Sequence, residues 1–262
     1  VIEGDTAKTP YGTGTFASRG SVVGGGTVIR CSHKVAKKAR RIAGYMLNVN
    51  ADRLILSAGR VHDCDDPSVG VTMREVAETA YSMNNLGIPQ GEEHGLEATD
   101  YYDPPMVTMA NGMHVVQVAI DPDDGRVQIE RHVLVHDCGR IINPKIVTGQ
   151  VHGATVQGIG EALMEEIVYD EGGQHLNANL LDYLMPTSMD VPELEIAHIE
   201  TPSTDTVGGI KGAAEAGVTG AVPAITNAVA DALVGIGVNI THIPLRPSFI
   251  WEQIRTVQER RA

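Results

Sequence analysis

The spacing of hydrophobic and polar residues along the 262-residue chain predicts helices alternating with paired strands. Apolar side chains recur every three to four residues in several long segments, which is typical of helices that bury one face. This spacing predicts helices over residues 28–49, 72–86, 148–165, 218–235 and 246–261. In the fourth of these, Pro223 is compatible with a helix only near its first turn.

Strands are predicted where apolar and polar residues alternate with a period of two. Residues 113–120 and 126–135 alternate in this way, and Asp121 to Gly125 supply the turn between them. Shorter hairpins are predicted around residues 57–59 and 171–173, and an extended stretch ends at 193–199. We therefore expect an α/β (α+β) fold of mixed β-sheets packed by helices, in two intertwined lobes with a soft boundary near residue 100.

Composition and charge narrow the possible functions. The formal net charge of −13 argues against a nucleic-acid partner, and the basic run at residues 34–41 is interpreted as the solvated face of a helix. Cys31, Cys64 and Cys138 form no CxxC pair, so we expect neither a disulfide framework nor a cysteine-ligated iron–sulfur cluster. A cytoplasmic protein is expected, without a membrane span, because no apolar run reaches about 18 residues.

A glycine-rich stretch at residues 12–26 precedes the first predicted helix. Backbone N–H groups at such a junction, together with the positive end of the helix dipole, suit a phosphate or another anion. The alternative is a plain flexible loop, since the stretch matches no phosphate motif closely.

Glu215 is the most informative candidate for catalysis. It stands among small residues, from Gly208 to Gly217, directly before an apolar helical segment. Glycines allow a bulky ligand to approach the backbone, so the carboxylate could serve as a general base there. The alternative is that Glu215 caps the helix and complements its dipole.

Two other patterns predict no site. His132 and His136 would lie on one face of a strand, but no third ligand stands at a recognisable interval, so structural roles are favoured over metal binding. Gly158 and Gly160 resemble half of a dinucleotide motif but fall inside a predicted helix. Small residues there are expected to permit close helix packing.

Four motifs in order carry a resemblance to a known family. They are the segments GTGT to SRGS (12–21), DCGRIINP (137–144), GQVHGATVQG (149–158) and KGAAEAG (211–217). The chain resembles the C-terminal half of the molybdenum-cofactor-binding large subunit of the xanthine oxidase family, most closely the large chains similar to aerobic carbon monoxide dehydrogenase. The resemblance implies a molybdenum hydroxylase that oxidises a small carbon substrate with water as the oxygen source.

The resemblance also implies roles for individual residues. Ser18, Arg19, Gly20 and Ser21 match the loop that binds molybdopterin cytosine dinucleotide, and Gln150 matches the glutamine near the metal ligands or the pterin. Glu215 matches the general base. Cofactor contacts are further implied for Lys211 and Gly212, while no side chain is expected to ligate the metal directly.

Partners and departures follow from the same resemblance. The implied partners are the N-terminal half of the large subunit, an iron–sulfur subunit with [2Fe–2S] clusters and a flavin subunit with FAD. The chain alone is expected to be inactive.

The chain departs from the family pattern at two positions. Ala214 stands where the family usually has glycine, and Cys138 where a small aliphatic residue is more common. A non-catalytic structural or assembly domain, or a phosphate- or nucleotide-binding module, are the alternatives.

Overall fold

The computed structural model describes residues 2, 5–8, 11–12, 14–82, 88–104 and 108–261. The chain forms two compact units that interleave along the sequence. The first unit comprises Val1–Thr13 and Val22–Pro105, and the second comprises Gly14–Ser21 and Met106–Ala262. A short loop near the start of the chain therefore belongs to the same unit as the whole second half.

The first unit packs two helices against a small antiparallel sheet. Helix α1 spans Gly26–Leu47, strands β1, β2 and β3 span Leu54–Ser57, Arg60–Asp63 and Gly70–Thr72, and helix α2 spans Met73–Ala80. The helices bury their apolar faces against the sheet, which stabilises both. The buried cluster consists of Ala39, Ile42, Ala43, Leu54, Val61, Val76 and Ala80. The predicted hairpin around residues 57–59 is confirmed.

Two predictions in the first unit need correction. Helix α2 was expected to reach residue 86 but ends at Ala80, and residues 83–86 lie outside the described part of the chain. A capping box between Thr72 and Glu75 fixes its start. The basic run on α1 is not wholly solvated, because Lys38 is buried and its ammonium lies 3.4 Å from the His94 carbonyl oxygen.

The second unit contains a mixed sheet and three long helices. Its elements are strands β4 (Asn111–Ile120), β5 (Val127–Asp137) and β6 (Leu194–His198), and helices α3 (Pro144–Leu163), α4 (Ala216–Val234) and α5 (Pro247–Arg261). Strands β4 and β5 pair antiparallel across the predicted turn, whereas β5 and β6 pair in parallel. The α/β (α+β) fold class with a mixed sheet is confirmed, although the pair of strands that runs parallel was not specified.

Small residues let α3 and α4 pack closely, as predicted for Gly158. A methyl group on Gly158 would lie 2.6 Å from the Ala221 side chain, and one on Gly217 would lie 2.7 Å from the Ala154 side chain. Both distances are shorter than real contacts allow, so glycine is required at each position. The close contact between the two helices fixes the start of α4 against α3.

Helix α4 corrects two expectations. Pro223 lies well inside the helix, at its eighth residue, rather than in the first turn. The helix is also long and apolar enough, by length and composition alone, to cross a membrane, although no run of that length was expected. Core helices pass the same test, and Ile225, Val229 and Leu233 of α4 are buried in clusters of the second unit.

The turn at residues 171–173 is present but forms less than a hairpin. A single bridge pairs Tyr169 with His175, and the Asp170 carboxylate accepts hydrogen bonds from the backbone N–H groups of Gly172 and Gln174. The side chain therefore holds a tight turn without flanking strands.

Candidate functional site

A cavity of about 380 Å³ lies beside the N-terminus of α4, within the second unit. Three segments line it: the loop before α1, the approach to β4 with its first residues, and the residues around the start of α4. The lining residues are Ala17, Ser18, Thr108, Met109, Ala110, Asn111, Gly112, His114, Gly212, Glu215, Ala216, Thr219 and Gly220. Glu215 is the only acidic residue among them.

The Glu215 carboxylate does not cap α4. Glu215 occupies the N-cap position, directly before the first turn of α4, yet its side chain forms no capping hydrogen bond there. Its carboxylate instead accepts a hydrogen bond from the Ser18 hydroxyl at 3.3 Å, and its backbone N–H donates to the same hydroxyl oxygen at 3.0 Å. The residue is exposed. The capping hydrogen bond of that alternative is therefore absent, whereas the position of Glu215 at the start of α4 still lets its charge complement the helix dipole. The carboxylate is accessible from the cavity.

The glycine-rich frame before Glu215 is shaped by two glycines rather than by Ala214. Gly208 and Gly209 have φ values of 80° and 71°, in the left-handed region that favours glycine. Ala214 is not among the described non-glycine residues with positive φ. Alanine in place of the family's glycine therefore causes no backbone strain at this position.

The loop that carries Ser18 is held close to the Glu215 segment. Ala17 and Ser18 have φ values of 50° and 53°, an uncommon conformation for residues with a side chain. A methyl group on Gly212 would lie 2.7 Å from the Ser18 side chain and 3.1 Å from its backbone oxygen. Gly212 is therefore required for Ser18 to approach Glu215.

The next three residues of the loop take no part in this contact. The Arg19 guanidinium lies over the Phe16 ring, 4.9 Å from its centroid, and the Arg19 backbone N–H donates to the Phe16 carbonyl at 3.2 Å. Gly20 and Ser21 are exposed, and Ser21 begins a five-residue π-helical turn before α1. These three residues do not line the Glu215 cavity.

Gln150 is exposed on the second turn of α3. Gly149 and Gly153 lie one turn apart on one face of α3, next to Gln150, and a methyl group on either would meet nothing within 4 Å. Packing therefore does not require glycine at these two positions, and they leave bare backbone around the Gln150 amide. Gln150 lies outside the Glu215 cavity, although its helix contacts α4 at Gly217.

Lys211 is engaged in a buried ion pair. Its ammonium lies 3.5 Å from the Asp137 carboxylate, with 11% and 12% of the two side chains exposed. Burial opposes ionisation of Asp137, but hydrogen bonds from Thr201 and Gly139 and the charge of Lys211 outweigh it and lower the pKa of Asp137 to about 2. The Lys211 backbone N–H donates to the Cys138 carbonyl, so the pair joins this segment to the end of β5.

His114, which was not among the predicted site residues, also lines the cavity. Its Nδ1 lies 3.0 Å from Nε2 of His132, which is completely buried, and Nδ1 of His132 has no hydrogen-bond partner among the described residues. Burial lowers the pKa of His114. Burial, and to a smaller extent the nearby His114 ring, lowers the pKa of His132 to about 4. The signal in the sequence that could have identified His114 is a histidine at an inward-facing position of strand β4.

His132 and His136 do not belong to a group of three potential metal ligands in the described part of the chain. Both are buried on one face of β5, as predicted, and the His136 ring packs edge-on against the His198 ring at 5.9 Å. Within the described part of the chain, one group of three potential ligands lies close together, at Asp63, Cys64 and Asp65 in the first unit. The Arg53 guanidinium already pairs with both aspartates.

Comparisons with known proteins agree with the family resemblance that the four sequence motifs indicate. Residues 1–192 match the family model of the molybdopterin cofactor-binding domain. The carbon monoxide dehydrogenase large chain of Hydrogenophaga pseudoflava is 37% identical over 97% of this chain and 31% of its own length. The nicotine 6-hydroxylase large subunit of Paenarthrobacter nicotinovorans is 40% identical over 94% of this chain and 30% of its length.

The fold is shared with a solved structure. Reconstituted carbon monoxide dehydrogenase from Oligotropha carboxidovorans superimposes with a TM-score of 0.91 at 34% identity, covering 98% of this chain and 32% of that one. The chain thus spans about a third of the length of the relatives it matches. It belongs to the molybdopterin cofactor-binding domain family and corresponds to part of the molybdenum-binding large subunit of xanthine oxidase-type oxidoreductases.

Proposed function

We propose that this chain forms part of a molybdenum hydroxylase in which Glu215 is the general base. The observation that carries the proposal is an accessible carboxylate that is not used for helix capping and is held by Ser18 at the wall of a cavity. The reaction would be a water-dependent oxidation or hydroxylation of a small carbon substrate at a molybdopterin cytosine dinucleotide centre.

The described residues fit such a cofactor. Gly212, Ala216 and Gly220 line the cavity beside Glu215, so a bulky group can approach the backbone there. Gly149 and Gly153 leave a second bare surface beside Gln150 that internal packing does not explain. Arg19 adds a positive charge, and Gly20 and Ser21 add exposed backbone and a hydroxyl, which suit phosphate oxygens.

Each residue then has a defined task. Arg19, Gly20, Ser21 and the backbone of Ser18 would bind the phosphate-bearing portion of the cofactor, and the Gln150 amide would orient the ligands of the metal or the pterin. Lys211, whose ammonium is paired with Asp137, and Gly212 would contribute through their backbone. When bound, the cofactor supplies the two-electron oxidation, while Glu215 takes up the proton released by the oxygen nucleophile.

The substrate class and the partners are part of the proposal. One relative is named for carbon monoxide and another for nicotine, so carbon monoxide, an aldehyde or an N-heterocycle are the substrates to test. The remainder of the large subunit would complete the pocket. Iron–sulfur and flavin subunits, with [2Fe–2S] clusters and FAD, would carry the electrons away, and a cytoplasmic location stays a prediction.

The test uses Glu215→Gln in the complete native assembly. We expect kcat to fall by at least about a hundredfold, because a general base contributes about 10²–10⁴-fold, while molybdenum and pterin contents stay at the wild-type level. Turnover is measured with carbon monoxide, benzaldehyde and nicotine, using a dye as the electron acceptor. Undiminished turnover would exclude Glu215 as the base.

Two further variants control this experiment. Glu171→Gln makes the same charge change at an exposed glutamate in the turn at residues 171–173, and it should leave kcat unchanged. Arg19→Ala should lower the molybdenum and pterin contents, which Glu215→Gln should not. Full cofactor content in Arg19→Ala would contradict the role of the loop. Absence of molybdenum and pterin from the wild-type assembly would favour a structural domain instead.

A further inference from the structure

We infer that the Ser18 hydroxyl is a positioning group for the Glu215 carboxylate, a role that rests on the proposed function of Glu215 as the base. The two residues are 197 positions apart in sequence and meet through one hydroxyl group. That oxygen accepts the Glu215 backbone N–H at 3.0 Å and donates its proton to Oε2 of Glu215 at 3.3 Å. Both ends of the glutamate are therefore tied to one atom.

The hydroxyl restricts the orientation of a side chain that has few other contacts. Glu215 is exposed, and no other side chain in the described part of the chain forms a hydrogen bond with its carboxylate. A glutamate has three rotatable bonds, and free rotation would spread the carboxylate over many positions. Donation from Ser18 to Oε2 fixes one oxygen and leaves Oε1 to receive a proton.

The backbone is built to bring Ser18 to this place. Ala17 and Ser18 both adopt left-handed φ values, which cost energy for residues with a Cβ atom. On the other side, Gly212 has no Cβ, and a Cβ atom there would lie 2.7 Å from that of Ser18. The left-handed backbone at Ala17 and Ser18 and the missing Cβ atom of Gly212 together allow Ser18 to lie close to the Glu215 segment.

This geometry separates Ser18 from its neighbours in the loop. Ser18 lines the cavity with Glu215, whereas Arg19, Gly20 and Ser21 do not. The side chain of Ser18 is thus directed at the base, and the rest of the loop is free to bind the cofactor. Loss of the hydroxyl should slow the proton transfer without loosening the cofactor.

The experiment replaces Ser18 by Gly in the complete assembly, because glycine accepts the left-handed φ and removes only the side chain. We expect kcat to fall by about ten- to a hundredfold, since small misplacement of a catalytic group costs rates of that order. KM and molybdenum content should stay within about twofold of wild type. Ser188→Gly, at an exposed serine in a turn outside the cavity, is the matched control and should behave like wild type.

Two readouts distinguish positioning from a merely structural role. A crystal structure of the Ser18→Gly holoenzyme should show the Glu215 carboxylate rotated or in several conformers around an unchanged backbone. In a Glu215→Gln background, Ser18→Gly should lower the residual rate no further, because the two residues act as one unit. Additive losses, or a single unchanged conformer of Glu215, would contradict the inference.

The remaining outcomes also decide. Unchanged kcat in Ser18→Gly together with lost turnover in Glu215→Gln would overturn the positioning role and leave the base in place. A fall in molybdenum content that matches the fall in activity would make Ser18 a cofactor-binding residue instead. Full turnover in Glu215→Gln would overturn the proposed base itself, and with it this inference.

Discussion

His132 is completely buried, and its one described hydrogen-bond partner is His114 at the wall of the cavity. A neutral imidazole can bridge in this way, with one ring nitrogen donating and the other accepting. Protonation would place a charge in the interior, and burial therefore lowers the pKa of His132 to about 4. The pair remains uncharged near neutral pH, beside a cavity whose acidic residue is Glu215.

We predict that acid destabilises the second unit through this histidine. The pKa of His132 falls from 6.5 to about 4 on folding, so the unfolded chain binds more protons between these values. Its contribution to the free energy of unfolding is complete above about pH 6.5 and is lost as the pH falls to 4. The loss is roughly 3 kcal/mol, from about 1.4 kcal/mol per pKa unit.

Urea unfolding of the purified protein between pH 4 and 7 measures this effect. His132→Phe should flatten the pH dependence, whereas His33→Phe, at an exposed position of α1, should not. His114 and His136 also have lowered pKa values, so some dependence should remain in His132→Phe. The low pKa of Asp137, about 2, acts only in more acidic solution. An unchanged slope in His132→Phe would refute the prediction.

At the scale of elements, the contact between α3 and α4 sets the position of the candidate base. Gly217 lies against the α3 backbone, where an added methyl group would be 2.9 Å from the Val151 carbonyl oxygen. Because Glu215 stands two residues earlier, the direction in which α4 leaves this contact decides where its carboxylate lies. The glycines on α3 are of two kinds. Helix packing requires a glycine at Gly158, whereas an added methyl group at Gly153 would contact no neighbouring atom.

We predict that two Gly→Ala changes in α3 have opposite effects on stability. Gly158→Ala should destabilise the protein by about 1–3 kcal/mol, because its methyl group would overlap Ala221. Gly153→Ala should stabilise it by up to about 1 kcal/mol, because alanine favours helix and the added methyl group meets nothing within 4 Å. Urea unfolding compares the two variants. The same sign of change in both would contradict the packing assigned to α3.

At the scale of the whole molecule, the chain is about a third of the length of its relatives. Leu180, Leu181 and Met189 are 79%, 87% and 91% exposed in the described structure. Single exposed apolar side chains are common on protein surfaces, so these three do not by themselves identify a contact surface. The soft lobe boundary near residue 100 stays a prediction.

We predict that the isolated chain does not turn over carbon monoxide, benzaldehyde or nicotine, even with a dye as the electron acceptor. Under the proposed function the remainder of a large subunit completes the pocket, and this chain spans only about a third of the length of its relatives. Adding the remaining large-subunit segment and the electron-transfer subunits should restore turnover and molybdenum content together. Turnover by the isolated chain would show that its own residues suffice for the reaction.

Part of the candidate site could be predicted because its motifs are local. The glycine-rich frame of Glu215 and the loop at Ser18 are each contiguous in sequence, and both line the cavity, whereas Gln150 does not. The same holds for helices α1 and α3 and for the β4–β5 hairpin, whose hydrophobic periods are clear. The predictions for helix α2 and for the turn at residues 171–173 were less accurate. The ends of helices and short strand pairings depend on neighbouring elements that hydrophobic periodicity does not reveal.

The sequence by itself determined the family, the alternation of helices and strands, and the identity of the candidate base, because these follow from short motifs and regular spacing. Tertiary structure alone decided that Glu215 bonds to Ser18 instead of capping α4, that His114 joins the cavity, and that β6 pairs in parallel with β5. Each of these contacts joins residues far apart in the chain. Their distances depend on how the elements pack, which no local pattern encodes.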